Sequence, residues 1–186
     1  MSLLITGLLL WCCVHLSSAV VVNLRARLVA GMGLRPYRGC FAFLIIISIV
    51  LMVFGWRAVE PVAVYQPPDW GRVAAYVLVF FTFILFVAAK RLTNIKRVLR
   101  HPQLTGVTLW SIGHLLANGD SRSLILFTSI GLWALLEIIL INRRAGIWIK
   151  PAPVPVIRDI ITVAIGVILY LVLLKLHPYI SGTTLI

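Results

Sequence analysis

The chain has 186 residues, of which 61% are hydrophobic and 12% are charged, and its mean hydropathy is +1.06. A soluble domain carries about 25% charged residues, so this composition excludes a water-soluble globular protein and predicts an integral membrane protein. The formal net charge is +12. Because the basic residues lie in clusters between apolar runs, where they meet lipid headgroups, we expect no nucleic-acid binding.

Six apolar runs with short connections predict an all-α, polytopic transmembrane helix bundle of about six spans, folded as one domain over residues 1–186. The lipid bilayer is then its main partner. The fourth run is short and contains polar residues, so we expect it to pack inside the bundle. In chain order the predicted spans are Leu3–Val22, Phe41–Trp56, Val73–Ala89, Leu104–Ala117, Leu124–Ile141 and Ile160–Leu176.

The basic residues indicate how the spans are oriented. The five connections hold four, two, five, one and four Lys or Arg residues, and one more lies at the end of the last span. High and low counts alternate. The positive-inside rule therefore places the first, third and fifth connections in the cytoplasm and both termini outside it.

Two histidines lie within predicted spans. His15 follows Trp11 by four residues and His114 follows Trp110 by four residues, which puts each pair of rings on one helix face. An ionisable side chain in lipid indicates a functional site, but a buried histidine can also be satisfied by a nearby hydroxyl or carbonyl group. Both interpretations stay open on these residues alone. His177, at the predicted membrane edge, is expected to be an interfacial anchor.

Other polar residues lie near the cytoplasmic end of the predicted bundle. Pro102 fits the first turn of a helix. With Arg97 and Arg100 beside it, this helix start would hold a carboxylate or phosphate, although capping and headgroup contacts explain the same residues. Glu137 in the fifth span is expected to pair with Arg143 or Arg144, or to extend toward the cytoplasmic surface.

Several segments carry a resemblance to a known family. They are His15, Leu24–Val29, Gly33–Gly39, the sequence Arg-His-Pro-Gln-Leu-Thr-Gly at 100–106, and Leu109–Asp120. Together they resemble the NnrU family of bacterial membrane proteins over nearly the whole chain. The resemblance implies a multi-pass protein of the bacterial inner membrane that is linked to denitrification and nitric-oxide metabolism.

The NnrU family is related to the plant-type 15-cis-zeta-carotene isomerase, a membrane enzyme that uses b-type haem held by two histidines. Those ligands match His15 and His114, so the resemblance implies haem b with its iron between them, and a redox-type cis–trans isomerase activity. An apolar molecule or a small gas would be the ligand. Further haem contacts would come from the cofactor-binding residues Trp11 and Trp110 around the porphyrin and Arg25, Arg97 and Arg100 at the propionates.

Two histidines can hold one iron only if they lie at nearly the same depth. His15 precedes the predicted end of the first span at Asn23 by about 12 Å, at 1.5 Å per residue. His114 follows the predicted start of the fourth span at Gln103 by about 16 Å. The difference of about 4 Å lies within the error of two to four residues in the predicted helix ends, so the sequence predicts that both imidazoles lie at one level near mid-membrane.

A second resemblance competes with the first. The Arg-His-Pro-x-x-x-Gly segment is similar to one in membrane methyltransferases of the isoprenylcysteine carboxyl methyltransferase type, where it helps to hold S-adenosylmethionine. That family usually has a tyrosine at the position of Leu104 and paired glutamates further on, whereas only Glu137 is present here. An S-adenosylmethionine-dependent methyltransferase is therefore the alternative function. A non-enzymatic membrane subunit or sensor in nitrogen-oxide metabolism is the third, so enzymatic activity stays open.

Overall fold

The computed structural model describes residues 1–182, and the side chains of all of these except Ser18, Ala19 and Val22. This part of the chain is helical, which confirms the predicted all-α class, and its only β pairing is one isolated bridge between Ala63 and Asp120. A short 3-10 helix lies at Asn94–Arg97. The α-helices are α1 (Ser2–Val20), α2 (Val22–Met32), α3 (Leu34–Arg57), α4 (Gly71–Lys90), α5 (Pro102–Ala117), α6 (Ser121–Ala145) and α7 (Ile157–Ser181).

Several of these helices suit a lipid environment. Within the described residues, α3, α4, α6 and α7 are each long and apolar enough to cross a membrane. Their outer faces carry large apolar side chains, such as Phe43, which is 63% exposed. The chain is therefore a multi-pass membrane protein. The other two predicted spans correspond to α1 and to α5, which has only 16 residues, so the total of about six spans stays a prediction.

The first connection differs from its prediction, because it contains helix α2 rather than a loop. Arginine is a good helix former, so Arg25 and Arg27 lower the hydropathy of this segment without preventing a helix. Gly33, with a φ of 88°, separates α2 from α3. α3 then begins at Leu34, seven residues before the predicted start at Phe41.

The helices form a row rather than a ring. Each packs mainly on its neighbours in the order α3, α1, α6, α5, α4 and α7. The short helix α5 thus lies between α4 and α6, as expected for the polar fourth span. α7 packs on α4 and hardly contacts α5.

Small residues bring neighbouring helices close together. A Cβ atom on Gly166 of α7 would lie 2.7 Å from the Cα of Ile84 in α4, and one on Gly106 of α5 would lie 2.9 Å from the Phe86 ring. The buried Thr82 hydroxyl lies 3.0 Å from the Gly106 carbonyl oxygen, to which it can donate. These contacts fix α5 and α7 on opposite sides of α4.

The helices run between two ends of the bundle, which differ in charge. At one, which we call the basic end, Arg100 donates to the Gly146 carbonyl at 2.8 Å and His101 Nε2 lies 2.9 Å from Asn142 Oδ1. At the other, which we call the distal end, Arg122 donates to the Trp56 carbonyl at 3.2 Å and lies 4.4 Å over the Trp56 ring.

Candidate functional site

His114 lies on α5, three residues before this helix ends at the distal end of the bundle. Its ring stacks on Phe127 of α6, with centroids 4.4 Å apart, and also contacts Trp110 at 4.8 Å. His114 Nδ1 lies 2.8 Å from the Trp110 carbonyl oxygen. Because a carbonyl only accepts, Nδ1 carries the proton and Nε2 the lone pair, which is the form of neutral imidazole that binds metals.

A second imidazole lies beside His114. The ring of His177, near the end of α7, has its centroid 6.4 Å from that of His114 and an interplanar angle of 29°. His177 is partly buried beside this ring. Its Nδ1 lies 3.0 Å from the Ser181 hydroxyl oxygen, and that oxygen lies 2.9 Å from the His177 carbonyl oxygen.

The proton positions at His177 follow from this pair of contacts. The Ser181 hydroxyl has a single hydrogen, which it donates to the carbonyl oxygen, so its oxygen accepts from Nδ1–H of the ring. In the neutral form of the ring, the lone pair of His177 is then on Nε2, as it is in His114. Two imidazoles therefore meet between α5 and α7, and the Nδ1 of each is hydrogen-bonded within its own helix.

The connection between α3 and α4 covers the end of α5 next to His114. The Tyr65 hydroxyl lies within hydrogen-bond distance of the Leu115 and Asn118 carbonyl oxygens, which share its single hydrogen, and the Asn118 side chain donates to the His114 carbonyl at 2.8 Å. Partial burial raises the pKa of the Tyr65 phenol and the Asp120 carboxylate raises it further, which keeps the hydroxyl protonated as a donor. A Cβ on Gly119 would lie 1.9 Å from the Tyr65 carbonyl oxygen, so only glycine fits there.

His15 lies in a different part of the bundle, between α1, α3 and α6. Its ring contacts Trp11 at 4.3 Å, Trp133 at 4.8 Å and Phe41 at 5.4 Å. Its Nδ1 lies 3.0 Å from the Trp11 carbonyl oxygen, so it too is the tautomer with the lone pair on Nε2. The ring centroids of Trp11 and Trp133 are 5.3 Å apart, so Trp11 packs α1 against α6.

The structure does not bring His15 and His114 to one level. His15 contacts Trp133 and His114 contacts Phe127, and these two α6 residues are six positions apart, or about 9 Å along the helix and about 120° around it. The offset exceeds the predicted 4 Å because the two histidines lie toward opposite helix ends. α1 extends five residues past His15 at the basic end, whereas α5 ends three residues past His114 at the distal end.

The three predicted propionate partners all lie at the basic end. The Arg25 guanidinium lies 5.9 Å from the Tyr37 ring, in a groove of about 140 Å³ that Phe41 also lines, next to His15. Arg97 and Arg100 precede α5, whose first residue Pro102 is about 18 Å from His114 along the helix. They are thus near the level of His15 and remote from His114.

Glu137 is a residue whose position the sequence does not reveal. It is only 6% exposed, one helical turn after Trp133 on α6, so it is buried in the bundle rather than extended to the surface. Residues four apart share a helix face. The structure therefore places a carboxyl group on the α6 face that carries Trp133, the tryptophan in contact with His15.

Two-histidine sites suit some metal centres and not others. Among the described residues, no group of three or more His, Cys, Asp or Glu side chains could hold a metal ion. A pair of imidazoles is instead the usual protein contribution to a metal whose other ligands come from a macrocycle, as in haem.

The Arg-His-Pro segment, which resembles an S-adenosylmethionine-binding segment, makes contacts within the bundle. Arg100 donates to the carbonyl of Gly146, the residue that follows α6, and His101 contacts Asn142 of α6. These contacts are a structural use of the segment.

The comparisons with known proteins bear on the whole chain. The family model described as NnrU protein matches residues 3–185, which include His15, His114 and His177. No curated protein and no solved structure matches the chain. Since the family match leaves out only the first two residues and the last one, it confirms the resemblance seen in the sequence: the chain belongs to the NnrU family.

Proposed function

We propose that this NnrU-family protein binds b-type haem within the bacterial inner membrane and acts in nitric-oxide metabolism or as a redox-type cis–trans isomerase. The observation that carries the proposal is the hydrogen bond and the ring contacts of His114. Its Nδ1 proton is held by a main-chain carbonyl, its lone pair is on Nε2, and aromatic rings surround it. A histidine oriented in this way by a second hydrogen bond is a typical metal ligand.

The residues fit a haem group in part. His114 would bind the iron through Nε2. The resemblance implies His15 as the second ligand, and its tautomer also suits a metal. In the structure His15 contacts Trp133 and His114 contacts Phe127, and these two residues are about 9 Å apart along α6 and about 120° apart around it.

A b-type haem, when bound, would supply one-electron chemistry and a site for a small gas. The chain's own residues would hold and shield it. His114 would provide the nitrogen that binds it, Phe127 and Trp110 would exclude water on the α6 side, and the connection with Tyr65 would cover the distal end. An apolar ligand or a small gas could reach such a site through the lipid.

The proposed orientation places the basic end in the cytoplasm and both termini outside it. Two observations support this. The helices run alternately between the two ends, and the connections at the basic end hold most of the Lys and Arg residues. Under the positive-inside rule, His114 and His177 then lie near the outer surface of the membrane.

The visible absorption spectrum of the protein, purified from haem-replete bacteria, tests the proposal. We expect a Soret band and a low-spin haem spectrum in the wild type, and loss of the low-spin form in His114→Ala. His101→Ala is the matched control, because its ring contacts Asn142 at the basic end and should not affect the spectrum. A wild type without haem, or an unchanged spectrum in His114→Ala, would show that the proposal is wrong.

A further inference from the structure

We propose that the groove between α1, α2 and α3 at the basic end binds an anionic phospholipid, with its phosphate on Arg25 and Arg38 and an acyl chain along α2. This groove, which we call the α2 groove, has a volume of about 140 Å³. The proposal goes beyond haem binding and does not depend on it. Under the proposed orientation the lipid comes from the cytoplasmic leaflet, whose surface is negative.

One wall of the α2 groove is an apolar helix face that the protein leaves partly uncovered. Leu24, Leu28 and Met32 are four residues apart, so they share one face of α2, and each is 39–43% exposed although it lines the groove. Leu44 of α3 lines the opposite side and is 38% exposed. α2 has 11 residues, and a helix shorter than about 12 residues is marginal in water on its own. An acyl chain along this face would cover it and stabilise α2.

The polar part of the groove is cationic. Arg25 lines the groove, and its guanidinium lies 5.9 Å from the centre of the Tyr37 ring. Arg38 joins Arg25, Tyr37 and Phe41 around an adjoining space. A planar guanidinium can donate two parallel hydrogen bonds to one phosphate, so two arginines at this position suit a phospholipid headgroup.

The helices that form the groove contain no acidic residue to pair with these arginines. The first acidic residue of the chain is Glu60, which follows α3. In the part of the chain that the structure describes, the ion pair joins Arg122 to Asp120 at the distal end. A phosphate would therefore supply the countercharge that α1, α2 and α3 lack. A zwitterionic lipid brings its own cation, so an anionic lipid should bind more tightly.

The α2 groove also lies next to His15. Phe41 lines the groove and contacts the His15 ring, with centroids 5.4 Å apart. Arg25 is, in addition, a residue that the family resemblance assigns to a haem propionate. A propionate and a lipid phosphate are both anions, so lipid and haem have to be followed in the same samples.

Native mass spectrometry of the full-length protein in detergent, with phosphatidylglycerol or phosphatidylethanolamine added, tests the proposal. We expect the wild type to retain phosphatidylglycerol in preference to phosphatidylethanolamine. A basic residue near an anionic lipid surface contributes about fivefold in affinity, so Arg25→Gln with Arg38→Gln should weaken phosphatidylglycerol binding roughly 25-fold. The matched control is Arg27→Gln with Arg35→Gln, which removes the same charge from arginines that do not line the groove.

A second variant tests the apolar wall while every charge is kept. Leu28→Trp places a larger side chain in the groove and should also weaken phosphatidylglycerol binding. Ile46→Trp introduces the same side chain at a residue of α3 that is 59% exposed and does not line the groove, so it should bind like the wild type. A photoactivatable phosphatidylglycerol should crosslink to residues 24–32 and 37–44 of the wild type.

The outcomes separate this proposal from haem binding, which the Soret absorbance reports. Loss of phosphatidylglycerol from the Arg25 and Arg38 variant supports the proposal, whether or not haem is bound. If that variant loses haem and keeps the lipid, the anion on Arg25 is a propionate and the proposal is wrong. A wild type without haem that binds phosphatidylglycerol in the groove contradicts only the proposed function.

Other results would overturn the proposal directly. They are equal binding of the two lipids by the wild type, equal loss in the two arginine pairs, and crosslinks confined to other helices. A dimer that only Leu28→Trp dissociates would show that a second copy of the chain fills the groove, which also overturns it. If the Arg25 and Arg38 variant does not fold, Leu28→Trp decides: weaker binding than in Ile46→Trp supports the proposal, and equal binding contradicts it.

Discussion

The Asp159 carboxylate accepts two hydrogen bonds from Asn94, one from its main-chain N–H at 2.7 Å and one from its side-chain amide at 2.6 Å. The Thr93 hydroxyl donates to the same carboxylate. The Asn94 side chain also donates to the Val154 carbonyl at 2.8 Å and accepts from the Val154 N–H at 3.0 Å. These bonds attach the turn after α4 to the start of α7, across 65 residues of sequence.

Replacing Asp159 should therefore loosen α7 from the rest of the bundle. The Asp159 carboxylate accepts hydrogen bonds from both Thr93 and Asn94, so we expect Asp159→Ala to lower the free energy of unfolding. Thermal unfolding in detergent, followed by tryptophan fluorescence, would measure the change. The exposed neighbour Arg158→Ala is the control, and equal midpoints for the two variants would contradict this role.

Two glycine-to-alanine substitutions should have opposite effects. A Cβ on Gly166 would lie 2.7 Å from the Ile84 Cα, and since a backbone atom cannot move aside, Gly166→Ala must push α7 away from α4. A Cβ on Gly39 in α3 would meet nothing within 4 Å, so Gly39→Ala should be neutral or stabilise the helix by up to about 1 kcal/mol. Unfolding midpoints compare the two. A Gly166→Ala variant as stable as Gly39→Ala would show that α4 and α7 are not packed so closely.

The proposed orientation predicts the behaviour of reporter fusions. An enzyme that is active only in the periplasm should be inactive when fused after Ala145, at the basic end, and active when fused after Asp69, in the connection between α3 and α4. A fusion after Ile186, which lies outside the described residues, should also be active. Activity after Ala145 together with inactivity after Asp69 would reverse the orientation.

Hydropathy predicts the membrane helices well because each has to be apolar to contact lipid. It does not predict α2, where arginines occupy a helix that contacts little of the protein, nor the early start of α3 at Leu34. Both differences have the same cause. A polar helix and a polar loop have the same hydropathy, and only the backbone hydrogen bonds distinguish them.

The candidate site is harder to predict, because its parts are far apart in sequence. His15 and His114 are evident as histidines within apolar runs, but the helix ends that set their depths carry an error of a few residues. His177 stands beside Pro178 and Tyr179, which is typical of a membrane interface. One signal could have paired it with His114: the predicted fourth and sixth spans run in the same direction, and both histidines lie near their ends.

Ser181→Ala should loosen the end of α7 next to His114. The Ser181 hydroxyl accepts from His177 Nδ1–H at 3.0 Å and donates to the His177 carbonyl oxygen at 2.9 Å. A typical intramolecular hydrogen bond contributes about 0.5–1.5 kcal/mol, so we expect the free energy of unfolding to fall by about that amount.

Thermal unfolding in detergent measures this change. Ser181→Thr keeps a hydroxyl and should restore the unfolding midpoint. Ser17→Ala is the matched control, because the Ser17 hydroxyl donates to a carbonyl of its own helix at 2.8 Å. We expect Ser181→Ala to lower the midpoint more than Ser17→Ala does, because the Ser181 hydroxyl also accepts from an imidazole. If the two variants lower it equally, the hydrogen bond from His177 adds nothing to the stability of α7.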